Sequence, residues 1–145
     1  MYHKRKYTPI NPQKYRGDPT DIIMRSSWEV KFAIWCDTNS GVLSWGSETT
    51  IVPYKCATDG KIRRYYIDFR ITIRTKSNEI KTYLVEIKPL HETEMPVFPG
   101  RKTKKYLMEC FKYAKNKSKW EAADKYARDR GWEFIILTEK HLGIK

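Results

Sequence analysis

The chain has 145 residues, enough for one domain with a single hydrophobic core. Its 40% apolar and 14% aromatic content excludes a disordered chain, and no apolar stretch approaches the ~20 residues of a membrane-spanning helix. Lysine and arginine total 29 against 17 acidic residues, a formal charge of +12 that favours a polyanionic partner such as nucleic acid. Binding to a membrane surface and a mere gain in solubility are the alternatives for this charge.

The first 25 residues are basic, rich in tyrosine and proline, and without periodicity. We expect them to form an extended basic arm (residues 1–25), followed by one folded domain (residues 26–145). The N-terminus lacks the apolar stretch of a secretory signal. Cys36, Cys56 and Cys110 form no CxxC pair and leave one cysteine over from any disulfide, which favours a reducing compartment, the cytoplasm.

A first helix is predicted from Ser27 to about Asp37, with Ser26 as N-cap and Glu29 as its capping-box partner. A β-meander follows. In the region of residues 67–73 isoleucine and phenylalanine alternate with polar residues, as in a half-buried strand, and Asp59-Gly60 and Ser77-Asn78 indicate turns. The predicted strands cover residues 42–45, 49–54, 62–74 and 80–87.

The C-terminal part is predicted to be mainly helical. Residues 91–100 contain two prolines and read as a loop, and a helix begins at Thr103. Ser118 and Glu121 form a second capping box that predicts a separate helix closed by Gly131, and residues 132–137 form an apolar strand. This order of elements predicts an α/β fold with a mixed sheet flanked by helices, and not a doubly wound fold.

Glu86 and Lys88 lie two apart at the end of a predicted strand, so their side chains share a face. The acid-x-lysine pattern occurs four times in the chain, but only here does it stand at the far end of a strand. The hairpin through Ser77-Asn78 brings Asp68 opposite residues near Glu86. Two carboxylates on one face repel each other unless a cation lies between them, and hard oxygen ligands suit Mg²⁺ or Mn²⁺. The alternative is that both acids are solvated on the sheet surface.

These residues predict metal-dependent hydrolysis of a phosphodiester. Asp68, Glu86 and the Ile87 carbonyl would hold the metal, which activates a water and offsets charge on the transition state. Lys88 would orient the water or stabilise the phosphorane. Glu29 either completes the metal shell or only caps its helix, since a carboxylate among apolar neighbours needs some partner.

Basic residues outside this cluster are predicted to contact DNA phosphates, which gives affinity without sequence readout. Lysines 112, 115, 117 and 119 form either a further part of this surface or a solvated helix face. The predicted DNA-binding residues are Lys4, Arg5, Lys6, Lys14, Arg16, Arg63, Arg64, Arg101, Lys102, Lys104 and Lys105.

The order Glu29, Asp68, Glu86-Ile-Lys88 on these elements resembles the PD-(D/E)xK, or restriction-endonuclease-like, superfamily, although Ile67 stands where the literal motif has proline. Within that superfamily the chain resembles the head-completion nucleases of large contractile-tailed phages and also the endonuclease subunit of Tn7-type transposases. The motifs that carry the phage resemblance are Tyr15-Arg-Gly-Asp-Pro19, Arg25-Ser-Ser-Trp-Glu29, Arg64-Tyr-Tyr-Ile-Asp-Phe69, Glu86-Ile-Lys-Pro89 and Pro99-Gly-Arg-Lys-Thr103.

The resemblance implies a restriction-endonuclease-like core and a Mg²⁺-dependent endonuclease or end-processing enzyme. It also implies a role in finishing the DNA-filled phage head before tail attachment, with portal or neck proteins as partners and a place in the host cytoplasm or the virion. Two alternatives stay open. One is a non-catalytic DNA-binding protein that seals the portal, and the other is an endonuclease of the junction-resolving or transposase type.

Overall fold

A four-stranded mixed sheet forms the centre of the computed structural model, which describes residues 4–144. Its strand order is β3-β6-β7-β8; β6 runs antiparallel to both β3 and β7, and β8 runs parallel to β7. The elements are β1 (Arg5–Lys6), β2 (Ile23–Met24), α1 (Ser27–Thr38), β3 (Val42–Ser47), β4 (Ile51–Lys55), β5 (Ile62–Tyr66), β6 (Phe69–Arg74), β7 (Ile80–Ile87), α2 (Lys104–Asp129), β8 (Glu133–Leu137) and α3 (Glu139–Leu142).

The sheet separates two hydrophobic cores, one on each face. The first joins α1 and the N-terminal segment to side chains such as Phe69, Val85 and Ile87. The second joins α2 and the β4–β5 hairpin to Leu84. Alternate residues of β7 therefore enter different cores, as strand geometry requires. The predicted α/β fold with a mixed sheet and flanking helices is confirmed.

Helix α1 begins where its sequence predicts. The Ser26 hydroxyl accepts a hydrogen bond from the Glu29 amide at 3.1 Å, which satisfies one of the free donors of the first turn. The helix ends at Thr38, one residue later than predicted. Its N-terminus thereby holds Glu29 near the end of the sheet at which β7 terminates.

The single long strand predicted over residues 62–74 is wrong, because the chain changes sheets at Ile67 and Asp68. Strand β5 pairs with β4 in a separate two-stranded sheet, and β6 belongs to the central sheet. At the break, the Ile67 amide donates to Thr50 and the Asp68 carbonyl accepts from the Glu48 amide. Apolar and polar residues alternate through both strands. The sequence pattern therefore does not indicate that β5 and β6 pair with strands of different sheets.

The second helix predicted from Ser118 is also wrong, since α2 runs without interruption from Lys104 to Asp129. The Ser118 hydroxyl donates to the Ala114 carbonyl one turn earlier at 3.1 Å and accepts from the Ala57 amide. A serine–glutamate pair resembles a cap, but the helix continues because Ser118 bonds back along it. Gly131, with φ 73°, follows the helix end as predicted.

The segment predicted as an extended arm packs onto the domain over the residues described. Strand β1 pairs with β2, and Tyr15, Ile22 and Met24 are buried in the first core. Residues 1–3 lie outside the described part of the chain. The short elements that the sequence does not predict are β1, β2, the 3-10 turns at Pro12–Lys14 and Leu90–Thr93, and helix α3. Within residues 4–144 no helix is long and apolar enough to cross a membrane.

Candidate active site

Asp68 and Glu86 lie side by side, as the hairpin predicts. Phe69 of β6 is opposite Val85 of β7 in an antiparallel pair. Asp68, which precedes Phe69, therefore lies opposite Glu86, which follows Val85. Asp68 Oδ2 accepts a hydrogen bond of 2.9 Å from the Ile87 amide, and Glu86 is only 6% exposed. The two predicted acids are therefore neighbours at the end of the sheet, with Glu86 buried and Asp68 half-buried.

The two carboxylate oxygens of Glu86 have different neighbours. Tyr65 donates its hydroxyl hydrogen to Oε2 at 2.5 Å, while Oε1 lies 3.7 Å from the Lys88 ammonium nitrogen. Tyr65 thus fixes one oxygen and leaves the other facing the predicted catalytic lysine. Sequence reasoning missed Tyr65, because it belongs to β5 of the separate hairpin and no local pattern connects it with Glu86.

Burial and the neighbouring carboxylates disfavour ionisation of Asp68. Burial raises the pKa of Asp68 well above its usual range, the charge of Glu86 raises it further, and the hydrogen bond from the Ile87 amide opposes the shift. The charge of Glu29 contributes in the same upward direction. Such a group of buried acids is stabilised by a cation placed between them.

Glu29 is half-buried at the start of α1, and its Oε2 accepts a hydrogen bond of 3.2 Å from the Ser26 hydroxyl. Burial raises its pKa, against the hydrogen bonds from Ser26 and Arg25. The predicted N-cap at Ser26 is present, but the Glu29 carboxylate bonds the Ser26 hydroxyl and not the Ser26 amide of a complete capping box. Asp68 lies within electrostatic range of Glu29. A role of Glu29 as metal ligand stays a prediction.

Lys119 of α2 is a second cation near the acids. Its ammonium nitrogen lies 5.4 Å from the centre of the Tyr65 ring, within the range of a cation–π interaction. Burial lowers its pKa, whereas the charges of Glu86 and Asp68 act in the opposite direction. The sequence pattern assigned Lys119 only to a basic helix face. Its position directly before the buried Trp120 could have indicated that Lys119 lies close to the core.

The oxygen donors fit a hard cation, although no ready-made cage exists. Among residues 4–144, no three histidine, cysteine, aspartate or glutamate side chains are arranged to hold a metal. Mg²⁺ commonly uses one or two carboxylates and keeps several waters, so Asp68 and Glu86 with the Ile87 carbonyl are a sufficient donor set. The buried, mutually repelling acids are the observation that supports this fit.

The predicted DNA-binding residues are spread over several elements, and Lys14 and Arg63 contact other groups of the protein. Lys14 donates to the carbonyls of Cys36, Asp37 and Asn39 at 2.7, 3.1 and 2.8 Å, so it caps α1 and is a poor phosphate contact. Arg63 forms a salt bridge with Asp59. The others with exposed side chains are Lys4, Arg5, Lys6, Arg16, Arg64, Arg101, Lys102, Lys104 and Lys105.

Comparison with known proteins gives two matches. A family model described as TnsA-like endonuclease N terminal matches residues 39–139, a range that contains Asp68, Glu86 and Lys88 and begins after Glu29. The head completion nuclease of Enterobacteria phage T4 is 42% identical over 152 residues, which covers 100% of this chain and 99% of the relative. No solved structure matches the chain significantly.

Proposed function

Because the chain belongs to the TnsA-like endonuclease N-terminal family and is a nuclease, we propose that it hydrolyses phosphodiester bonds of double-stranded DNA at Asp68, Glu86 and Lys88. The observation that carries this assignment is the pairing of half-buried Asp68 with buried Glu86, where Lys88 lies 3.7 Å from Oε1 of Glu86. The family match covers all three residues. The excess of basic residues supports a polyanionic substrate.

Mg²⁺ is the proposed cofactor, with Mn²⁺ as a substitute. Asp68, Glu86 and the Ile87 carbonyl would hold it, and Glu29 would complete the shell directly or through a water. When bound, the metal lowers the pKa of a water and offsets charge in the transition state. Tyr65 keeps Glu86 in one orientation through its 2.5 Å hydrogen bond. Lys88 then orients the attacking water or stabilises the charge that develops on the phosphate.

We also propose that this cleavage belongs to phage head completion. The support is the similarity to the T4 head completion nuclease over the whole chain. The enzyme would act in the cytoplasm of a bacterial host, or in the virion, on DNA at the filled head. Its protein partners would then be portal or neck components. Complementation of a phage that lacks its own head completion nuclease tests this role.

The decisive experiment compares Glu86→Ala with Glu79→Ala, each assayed for cleavage of plasmid and linear DNA with Mg²⁺, Mn²⁺ or a chelator. Glu79 is a matched control, because Glu79-Ile-Lys81 has the same pattern but is exposed at the start of β7. We expect Glu86→Ala to reduce the rate by about a thousandfold or more, since a metal ligand is lost. Glu79→Ala should cleave like the wild type, and both should keep the wild-type circular dichroism spectrum.

Equal cleavage by Glu86→Ala and the wild type would refute the assignment of the site. Binding of DNA without any cleavage by the wild type, under all three conditions, would instead support the non-catalytic portal-sealing alternative.

A further inference from the structure

Helix α2 packs with a narrow stripe of buried residues, which are Asn116, Trp120, Ala123 and Ala127. At ~100° per residue, Lys112, Lys115 and Lys119 follow one flank of this stripe, and Lys117 lies on the opposite flank. Lys119 is half-buried, whereas Lys115 and Lys117 are exposed. Lys112, Lys115 and Lys119 therefore form a row along one side of α2. Lys119 is the member that lies nearest to the core and within electrostatic range of Glu86 and Asp68.

The surroundings of Lys119 leave its ammonium group available for a ligand. Within residues 4–144 it forms no salt bridge, and its nitrogen lies over the Tyr65 ring at 5.4 Å. Lys112, two turns earlier, is paired with Glu92 at 2.5 Å. Among residues 4–144 the Lys119 ammonium also donates no hydrogen bond, so its three N–H donors are available to a ligand.

Lys119 is also connected to the site through a single residue. The Tyr65 ring beneath it donates its hydroxyl hydrogen to Glu86, whose free oxygen faces Lys88. The two lysines approach the same carboxylate from different elements, Lys88 from the end of β7 and Lys119 from α2. Two cations beside two acids suit a phosphate bound with a metal, because the phosphate brings negative charge that they can neutralise.

We propose that Lys119 is a second active-site lysine, whose ammonium donates to a non-bridging oxygen of the DNA phosphate held beside Asp68 and Glu86. This inference rests on the proposed nuclease function of the same site. The alternative is that Lys119 only packs on Tyr65 and supports Glu86 indirectly. A phosphate contact and a packing role differ in one measurable respect, the number of counterions released when DNA binds.

The experiment uses the full chain with the variants Lys119→Gln, Lys119→Arg and, as a matched control on the same helix, Lys125→Gln, at an exposed lysine that pairs with Asp129. Binding of a short fluorescent DNA duplex is measured over a range of salt concentrations with Ca²⁺ in place of Mg²⁺, after a check that Ca²⁺ does not support cleavage. Single-turnover cleavage is measured separately with Mg²⁺. We expect Lys119→Gln to lower the slope of log affinity against log salt by about 0.9 and the cleavage rate by on the order of a hundredfold.

Lys119→Arg should retain the slope, and Lys125→Gln should behave like the wild type in both assays. A wild-type salt slope in Lys119→Gln would overturn the inference, even if cleavage falls, because only packing would then be lost. An equal loss of slope in Lys125→Gln would also overturn it, because the loss would then not be specific to the site. If the wild type did not cleave at all, the proposed function would fail while the salt slope would still report the phosphate contact.

Discussion

The two carboxylate oxygens of Glu86 have different neighbours and can therefore have different functions. Its Oε2 is fixed by the Tyr65 hydroxyl, and its Oε1 faces Lys88. Hydrogen bonds from a second layer of residues orient metal ligands and restrict their rotation. At the scale of the residue, Tyr65 is therefore the group that decides which oxygen of Glu86 is free to bind a cation.

Tyr65→Phe removes this hydrogen bond and keeps the buried ring. We expect a tenfold to hundredfold loss in Mg²⁺ affinity or cleavage rate, about the size seen when a group that orients a metal ligand is removed. A Mg²⁺ titration of cleavage measures it. Tyr66→Phe, at a residue that is 46% exposed on the same strand, is the control and should match the wild type. Identical Mg²⁺ curves for the two variants would show that Tyr65 does not orient Glu86.

At the scale of elements, the N-terminal segment holds α1 in place from its C-terminal end. Asp37 is fully buried there, and its oxygens accept hydrogen bonds from the Tyr7 hydroxyl and the Ile10 and Asn11 amides at 2.7–2.9 Å. Lys14 adds the bonds to the last carbonyls of the helix. Because α1 carries Glu29 at its other end, the segment contributes to the position of the site.

Asp37→Asn tests this attachment. Burial opposes ionisation of Asp37, but the hydrogen bonds from Tyr7, Ile10 and Asn11 outweigh it and lower the pKa of the carboxyl group. The Asp37 carboxylate therefore contributes its full stabilisation when the pH is above the pKa of an aspartate in the unfolded chain, about 3.9. This contribution is lost as the pH falls through the lower pKa of Asp37 in the folded protein. We expect the variant to lose about 2 kcal/mol of unfolding free energy at neutral pH.

Urea unfolding at neutral and acidic pH measures this difference. The gap between Asp37→Asn and the wild type should shrink in acid, where the wild-type carboxyl group is also protonated. The control is Asp124→Asn on the exposed face of α2, where the aspartate pairs with Arg128 and little change is expected. A gap that stays constant with pH would contradict the assigned charge of Asp37.

At the scale of the whole molecule, the net charge and the fold contribute to DNA binding in different ways. The +12 net charge attracts DNA from a distance, whereas the acids sit at one end of the sheet with two lysines beside them. An acidic site would repel DNA in a neutral protein. The excess of basic residues, and the cation that we propose at this site, would together offset this repulsion.

DNA affinity should accordingly depend steeply on salt. If six or more phosphates are contacted, affinity falls by about a thousandfold between ~50 and ~200 mM salt. Fluorescence anisotropy with the Glu86→Ala variant and a DNA duplex measures it without cleavage. Neutralising Arg101, Lys102, Lys104 and Lys105 should flatten the dependence, while neutralising Lys125 and Arg128, which pair with acids, should not. Affinity that does not change with salt would rule out the basic surface as the DNA contact.

The sequence by itself determined the α/β class and the pairing of Asp68 with Glu86. Strand alternation and the turn at Ser77-Asn78 are local, and the register of a hairpin follows from its turn. It did not reveal the break at Ile67, since alternation is the same in both strands. Only the tertiary structure revealed the contacts of Tyr65, Lys14 and Lys119. Each of these residues contacts an element that is distant in sequence, and a local periodic pattern does not identify such a partner.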